Sequence, residues 1–254
     1  MSRQSGLLYS TKIYHHNVKL SVYELFTKQG YHLIDIGCGK GGDLHKWERR
    51  RLRSVLAVDI SGPYITEAKR RHSEKRAMRT HVTFLQTDAF SEAASIDDGS
   101  TYDAMSCMFC LHYAACDENS IHRAFKNAST LLKTGGVFFG VCADGDVIEK
   151  GGNVANEIVH ITLDHSNDSQ WGCAYEFTLC DSIVSEKNRE YITRQSDLIQ
   201  VAAHYNITPV PLRDCALWKT REGHVFANLI GTDEQTDEEK QVSAMYFAYA
   251  FVKL

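Results

Sequence analysis

Residues 33–50 have the sequence LIDIGCGKGGDLHKWERR, in which the glycines at 37, 39 and 42 follow the pattern G-x-G-x-x-G. A short apolar segment precedes this loop and a helical pattern follows it, so the loop is predicted to join a strand to a helix. A loop in this position brings its backbone close to a ligand. The glycine pattern alone fits a dinucleotide, another nucleoside cofactor or a tight turn without a ligand.

The sequence around the loop alternates apolar strands with helical segments. Strands are predicted at 31–37, 54–60, 81–87, 102–109 and 137–143. Helices are predicted at 15–29, from the loop through Arg50, from Pro63 to about Met78, and from an N-cap at Asp117 through Leu132, with Gly135–Gly136 as the stop. This alternation predicts an α/β fold with a doubly wound, mostly parallel sheet.

The pattern changes after about residue 144. Segments 156–164 and 173–184 predict antiparallel strands around a polar turn, 191–206 predicts a helix, and 245–254 predicts a final strand. A parallel sheet with an antiparallel last strand and an inserted hairpin is similar to the plan of class I methyltransferases. We therefore expect a Rossmann-like, seven-stranded sheet in a single domain, 1–254, with an inserted substrate lid at about 145–190.

Composition restricts the class of protein further. The chain of 254 residues has no apolar window approaching the roughly 18 residues of a membrane span, and its first residues lack the apolar segment of a secretory signal. The first 81 residues contain 16 Lys and Arg against 7 Asp and Glu, whereas the remainder contains 12 against 25. A cationic half favours a partner that carries phosphates, although solvated helix faces would give the same count.

Eight cysteines are spread along the chain, mostly within apolar segments, which indicates reduced thiols in a reducing compartment. Cys107 and Cys110 form a CxxC pair, but the pair lies on a predicted buried strand and no second pair completes a tetrahedral set. We predict no metal site.

Three acidic residues distinguish between the possible cofactors. Asp59 ends the second predicted strand, where its carboxylate can accept both hydroxyls of an adenosine ribose. Asp35 stands two residues before Gly37, where dinucleotide loops usually have an apolar residue, and its charge suits a cationic ligand. Asp88 ends the third strand, from which methyltransferases often contact adenine. S-adenosylmethionine, which is cationic and lacks phosphate, is therefore predicted, with a dinucleotide or an empty turn as the alternatives.

The stretch DIGCGKGGDLHKW closely resembles the motif of mRNA cap guanine-N7 methyltransferases, D-L-G-C-G-K-G-G-D-L followed by Lys-Trp. Further blocks follow in the family's order: SCMFCLHYA at 106–114 resembles S-C-Q-F-x-x-H-Y, and NEI at 156–158 matches the family's lid. CAYEFTL at 173–179 and REY at 189–191 match the region that binds guanine, and MYFAYAF at 245–251 matches the closing strand. The resemblance extends from about Tyr14 to Phe251.

The resemblance implies a role for each matching residue. The implied cofactor contacts are Lys19, Asp35, Gly37, Gly39, Asp59, Asp88, Met108 and Tyr113. The implied contacts to the cap phosphates and ribose are Lys40, Lys46, Arg71, His15 and His16. The implied guanine pocket, which positions the transition state without acting as acid or base, consists of Glu190, His112 and Tyr246.

The chain departs from the family pattern at three places. Met108 replaces the glutamine of S-C-Q-F, so side-chain hydrogen bonds of that glutamine are lost while backbone contact remains available. His15 and His16 replace an asparagine pair and are expected to titrate near neutral pH. Cys142-Ala143 replaces a Thr-Pro pair. These changes indicate a divergent lineage.

The resemblance predicts an mRNA (guanine-N7-)-methyltransferase that acts on 5′-capped RNA. The alternatives are a catalytically weak module that binds capped RNA and a methyltransferase for another RNA or a small molecule. The chain has no nucleotidyl-lysine motif, so guanylyltransferase and triphosphatase activities are expected in another chain or in an absent part of a longer protein. We expect a monomer without membrane contact, nuclear if cellular and cytoplasmic if viral.

Overall fold

The first half of the chain alternates strands with helices, as the sequence predicts. The computed structural model describes residues 6, 8–75, 78–92, 96–167, 169–180 and 188–254. Its first five strands are β1 (His32–Ile36), β2 (Ser54–Asp59), β3 (His81–Gln86), β4 (Tyr102–Met108) and β5 (Leu132–Ala143). The helices among them are α1 (Tyr9–Phe26), α2 (Leu44–Arg49), α3 (Gly62–Ser73) and α4 (Glu118–Leu131), with a 3-10 helix at Leu111–Cys116.

The second half is more irregular. It begins with α5 (Gly145–Gly151), β6 (Val154–Ala155), β7 (Val159–Leu163), β8 (Ala174–Leu179) and β9 (Asn188–Tyr191). It continues with α6 (Gln195–Ala203), β10 (Ile207–Pro209), β11 (Trp218–Thr220), β12 (Ala227–Leu229), α7 (Asp237–Ala244) and β13 (Tyr246–Lys253). Among the described helices, none combines the length and apolar composition needed to cross a membrane.

A large, mostly parallel sheet forms the centre of the molecule, in the order β11-β12-β13-β5-β4-β1-β2-β3. Strands β1 to β5 are parallel to their neighbours, and β13 runs antiparallel to β5. The predicted fold class is therefore confirmed. Within the described residues the sheet has nine strands rather than the predicted seven; three of them, β10, β11 and β12, have three residues each and are too short for a periodic signal.

The helices cover both faces of this sheet. Apolar residues of α1, α2, α3 and α7 belong to the core on one face, and those of α4 and α6 to the core on the other. Strands β6 to β9 form a separate antiparallel sheet whose buried side chains join the core of α1. Because β9 lies against the 3-10 helix, this small sheet reaches the carboxyl ends of the parallel strands.

Several element boundaries differ from their predictions. Helix α1 spans Tyr9–Phe26 rather than 15–29, and α3 ends at Ser73 rather than about residue 78. Helix α4 does begin after an Asp117 cap, which accepts a hydrogen bond from the backbone N–H of Ser120 at 2.8 Å. Helix α4 ends at Leu131, one residue before the predicted Leu132, but Gly135–Gly136 lie inside β5 rather than before it, because the backbone is already extended at Leu132.

Later boundaries differ as well. The helix predicted at 191–206 spans only Gln195–Ala203, because residue 191 ends β9. The strand predicted at 173–184 is observed over Ala174–Leu179, and its residues 181–184 lie outside the described residues. Residues 76–77 of the predicted third helix, and residues 168 and 181–187 of the predicted lid, also lie outside them.

Candidate active site

The glycine loop leaves the carboxyl end of β1 in a conformation that favours glycine. Gly37 and Gly39 have φ angles of 73° and 53°. A Cβ at Gly37 would collide with the side chain of Cys110. The N–H groups of Gly37 and Cys38 donate to the carbonyl of Val58 at 2.8 and 3.0 Å, which ties the loop to β2.

Asp59, at the end of β2, holds the far side of this loop. One carboxylate oxygen accepts from the N–H of Gly39 at 2.7 Å, and the other accepts from the N–H of Ser61 at 2.9 Å. The structure thus brings Asp59 across from the glycines, where the sequence predicts a contact to the cofactor ribose.

Asp35 is buried beneath the loop, on β1. Its carboxylate accepts hydrogen bonds from the hydroxyls of Tyr23, at 3.2 Å, and Ser106. Burial, and then the charge of Asp43, raise the pKa of Asp35 to about 7. The predicted electrostatic contact of Asp35 with a cationic cofactor would act from beneath the loop, since only 2% of the residue is exposed.

Asp43, the residue before α2, forms two buried salt bridges, one to Lys19 on α1 and one to Lys46 on α2 itself. Its two carboxylate oxygens lie 2.6 Å from the ammonium of Lys19 and 2.8 Å from that of Lys46. Burial raises the pKa of Asp43, but the two lysines outweigh burial and leave the pKa lowered. Lys46, predicted to meet the cap phosphates, is 2% exposed and has its charge compensated by Asp43.

The other two predicted cap cations lie near α3. The ammonium of Lys40 lies 4.9 Å from the ring centre of Tyr64. Helix spacing would also allow a pair with Asp43, but Asp43 binds Lys19 and Lys46 instead. The guanidinium of Arg71 lies 2.7 Å from the carboxylate of Glu67. Of the three predicted cations, Lys46 and Arg71 are therefore held in ion pairs.

The predicted adenine side contains Asp88 and Met108. Asp88 follows β3, and its carboxylate accepts from the N–H of Phe90 at 2.9 Å, which closes a local turn. Met108 ends β4 and is buried. Both residues stand at carboxyl ends of parallel strands, which is the edge where ligands bind in sheets of this kind.

Glu190, on β9, is the centre of a buried polar cluster. Its carboxylate accepts from the hydroxyl of Tyr175 at 2.8 Å and from that of Tyr113 at 3.2 Å, and Nε2 of His112 lies 3.6 Å away. Burial raises the pKa of Glu190, but His112, Tyr175 and Tyr113 together outweigh it and leave the pKa lowered. The predicted pair of His112 and Glu190 is thus brought together, and Tyr113, predicted for the cofactor, reaches the same carboxylate.

His112 lies in the 3-10 helix that follows β4. The residue is buried, and neither ring nitrogen has a hydrogen-bond partner among the described residues. The 3.6 Å separation from Glu190 exceeds hydrogen-bond length. A buried imidazole without partners is costly, so these nitrogens point to a ligand that supplies the missing partner.

Tyr246, the first residue of β13, belongs to an aromatic cluster next to Glu190. Its ring centre lies 5.0 Å from that of Phe109 and 5.5 Å from that of His15, and His15 lies 4.9 Å from Phe109. Burial, and then the charge of Glu190, raise the pKa of Tyr246. Burial lowers the pKa of His15 to about 3, so His15 is neutral and presents a ring face.

His16 faces away from this cluster. Its ring is parallel to that of His45 on α2, with centroids 4.8 Å apart, and its Nδ1 lies 3.4 Å from the ammonium of Lys46. The histidine pair, predicted to share a cap contact, is therefore divided between two environments, because neighbouring residues of a helix are rotated by about 100°.

Sequence reasoning did not assign three residues of the site. Phe109 and Tyr175 both lie within blocks that resemble the family, SCMFCLHYA and CAYEFTL, but their contacts depend on the tertiary fold. Tyr23 gave no signal beyond a helical apolar position.

The fold and the site together define a class. A mostly parallel sheet with an antiparallel last strand, a glycine loop after its first strand and an acidic residue after its second is the architecture of class I methyltransferases. A solved S-adenosylmethionine-dependent methyltransferase from Listeria monocytogenes aligns with a TM-score of 0.62 and 17% identity, over 96% of this chain and 99% of that one. One from Clostridium acetobutylicum aligns with a TM-score of 0.59 and 14% identity, over 95% and 91%.

The chain belongs to the mRNA (guanine-N(7))-methyltransferase domain family, whose model matches residues 1–220. It is similar to the mRNA cap guanine-N(7) methyltransferase of Saccharomyces cerevisiae, with 28% identity over 93% of this chain and 62% of the relative. It is similar to that of Schizosaccharomyces pombe, with 27% identity over 87% and 68%. It is also similar to that of Caenorhabditis elegans, with 31% identity over 59% and 44%. The chain thus spans from under half to about two thirds of the length of these relatives.

Proposed function

We propose that this chain transfers the methyl group of S-adenosylmethionine to N7 of the 5′ guanosine cap of mRNA, converting GpppN-RNA to m7GpppN-RNA. Membership of the family and the names of its relatives support this activity. The observation that carries the proposal is the buried Glu190 carboxylate, which is held by two neutral hydroxyls beside the unpartnered His112.

The residues at the glycine loop suit the proposed cofactor. Gly37 and Gly39 have no side chain that would keep a ligand away from the backbone. The Asp59 carboxylate, next to Gly39, can accept hydrogen bonds from ribose hydroxyls. We infer that Gly37, Gly39 and Asp59 hold the cofactor together with Asp88, Met108 and Lys19. S-adenosylmethionine, when bound, supplies a methyl group activated by a positively charged sulfur.

The chain needs no general base, because N7 of guanine carries a free lone pair. Its task is to hold N7 in line with the methyl group and to exclude water, which can supply about 7–11 kcal/mol of the barrier. Glu190 is proposed to accept from N1–H and the exocyclic amine of guanine. Adenine has an acceptor at N1 and would be rejected.

The same carboxylate favours the reaction step. Guanine gains positive charge as it is methylated, and a preorganised buried anion stabilises that charge more in the transition state than in the substrate. The ring faces of Tyr246, Phe109 and His15 add attraction for a purine that becomes cationic. His112 is proposed to make its missing hydrogen bond with the bound guanosine.

The small antiparallel sheet is proposed to act as the substrate lid, since it supplies both Glu190 and Tyr175. We further propose that the protein works in the nucleus as a monomer. Formation of the unmethylated cap is assigned to guanylyltransferase and triphosphatase activities outside this chain.

A methyl-transfer assay tests the proposal. The chain is incubated with methyl-labelled S-adenosylmethionine and GpppA-capped RNA, triphosphate-ended RNA or RNA whose cap carries 7-deazaguanosine. The expected result is label in the GpppA-capped RNA alone, recovered as 7-methylguanosine after digestion. Label in uncapped RNA would contradict the proposed substrate. Binding of capped RNA without methyl transfer would indicate that the chain is a binding module rather than an enzyme.

A further inference from the structure

Two histidines from different helices stack beside the candidate active site. The rings of His16 on α1 and His45 on α2 have centroids 4.8 Å apart and planes only 5° apart. His45 is exposed and His16 is half-buried. His15, the preceding residue of α1, packs against Phe109 and Tyr246 in the proposed guanine pocket. The His16–His45 stack is therefore one residue from the pocket but faces out of it.

The proton of His16 can be placed from its contact with Lys46. An ammonium group only donates hydrogen bonds, so Nδ1 of His16, at 3.4 Å, is the acceptor. A neutral His16 then carries its proton on Nε2, at the other edge of the ring. This N–H is a hydrogen-bond donor suited to an oxygen acceptor.

The charges around the stack are mostly positive. Burial, and then the charge of Lys46, lower the pKa of both histidines, and the pKa of His45 falls to about 4. The charged groups that act on the two rings are Lys19, Lys46, Arg49, Lys75 and the single carboxylate of Asp43; Arg49 is itself paired with Glu24. Neutral donors in a positive potential attract an anion, and a bound anion favours protonation of the rings.

We propose that the His16–His45 stack binds the first phosphodiester of the RNA chain that follows the cap. This inference rests on the proposed function, because it takes capped RNA as the substrate. The ligand chemistry is a phosphate oxyanion, and the triphosphate bridge of the cap is its other possible source. The exposure of His45, outside the buried guanine pocket, favours the phosphodiester.

Substitution of His45 separates these sources, since His45 is not part of the proposed pocket. The full chain is compared with His45→Ala, His45→Arg and, as a control, His204→Ala. His204 also lies near a second histidine, His122, with ring centroids 5.5 Å apart, but follows α6 on the opposite face of the sheet. Affinity for a short GpppA-capped RNA is measured by fluorescence anisotropy, and methylation is measured with the GpppA dinucleotide.

His45→Ala is expected to weaken binding of capped RNA by about fivefold, because it removes one charge-assisted contact that solvent partly screens. It is expected to leave dinucleotide methylation unchanged. His45→Arg is expected to retain RNA affinity, and His204→Ala to change neither readout. Wild-type affinity for RNA should rise as pH falls towards the pKa of His45, about 4, because the bound phosphodiester stays anionic and favours the protonated rings. This pH dependence should be weaker in His45→Arg.

Unchanged RNA affinity in His45→Ala would overturn the inference. Equal losses of RNA affinity and dinucleotide methylation would also overturn it, since they would assign the stack to the triphosphate bridge. Failure of the wild-type chain to methylate the dinucleotide would instead contradict the proposed function, and the anisotropy comparison would still decide the inference.

Discussion

Asp43 and Glu190 are both buried carboxylates, but their partners differ in charge. Asp43 lies between the ammonium groups of Lys19 and Lys46. Glu190 accepts hydrogen bonds from the neutral hydroxyls of Tyr175 and Tyr113, and its basic neighbour, His112, stays 3.6 Å away, beyond hydrogen-bond length. Both carboxylates have a lowered pKa, and burial opposes the lowering in both cases.

The difference separates a structural anion from a reactive one. Two cations compensate the charge of Asp43 and join α1 to α2, so little of that charge is available to a ligand. Two neutral hydroxyls orient Glu190, and His112 acts on it without a hydrogen bond, so more of its negative charge stays available than for Asp43. We therefore expect substitution of Asp43 to affect folding and substitution of Glu190 to affect methyl transfer.

The largest effect on stability is expected for Asp43→Asn. The substitution leaves the ammonium of Lys46, which is 2% exposed, without its counter-ion. Breaking such a buried pair from one side lowers the free energy of unfolding by about 3–5 kcal/mol. Urea denaturation followed by circular dichroism measures the change.

A matched control is Glu67→Gln on α3. Glu67 also lies between two basic residues, Arg70 and Arg71, but all three side chains are partly exposed, and ion pairs that water reaches contribute little. Its denaturation midpoint should stay close to that of the wild type. If both variants unfold alike, burial of the Asp43 pairs does not contribute to stability as argued.

Asp59 is intermediate, because backbone N–H groups rather than side chains hold its carboxylate. Asp59→Ala removes the acceptor for Gly39 and the proposed ribose contact, and should weaken cofactor binding by about 1.5–3 kcal/mol. Isothermal titration calorimetry with S-adenosylmethionine measures the loss. The cofactor affinity of Asp59→Asn, which keeps one acceptor oxygen, should lie between those of the wild type and Asp59→Ala. Unchanged affinity in the alanine variant would remove Asp59 from the cofactor site.

The smallest effect concerns the pH dependence of methyl transfer and Tyr175. The pKa of Glu190 is lowered, so its ionised form, and the activity that needs it, is lost as pH falls through that pKa. Tyr175→Phe removes one donor to the ionised form, which raises the pKa and moves the acidic limb of the rate profile to higher pH. One hydrogen bond of about 1 kcal/mol corresponds to a shift of somewhat under one pH unit.

Tyr249→Phe is the matched control for that shift. Tyr249 is also buried, but its hydroxyl donates to the backbone carbonyl of Cys107 at 3.2 Å rather than to a carboxylate. This variant should leave the acidic limb in place. A limb that moves equally in both variants would indicate a general loosening of the fold rather than an action through Glu190.

The sequence was sufficient for the parts of the fold that repeat. The alternation of strands and helices up to residue 143 predicts the parallel sheet, and the glycine pattern predicts the loop after β1. Three-residue strands such as β11 and β12 carry no periodicity and are defined by their pairing with distant chain. Gly135–Gly136 predict a break before the fifth strand but lie inside it, because glycine fits a strand irregularity as well as a helix end.

The candidate site was predictable to the extent that its residues lie in the ordered blocks. The sequence placed Glu190 and His112 in one pocket, and the structure brings them to 3.6 Å. It did not show that the local pair of Asp43 and Lys46 is buried, since that burial depends on how α1 packs over the loop. Nor did the sequence show that His15 and His16 point to different surroundings, since that depends on how α1 is placed in the fold.

Single-turnover methylation of GpppA-capped RNA by Glu190→Gln tests the central claim most directly. The amide keeps the size of the side chain but removes its charge, so the chemical step should slow by about 2–4 kcal/mol. Affinity for S-adenosylmethionine and the free energy of unfolding should stay near the wild-type values. Near-normal turnover would remove Glu190 from the site, and an equal loss of cofactor affinity would assign it to holding the fold.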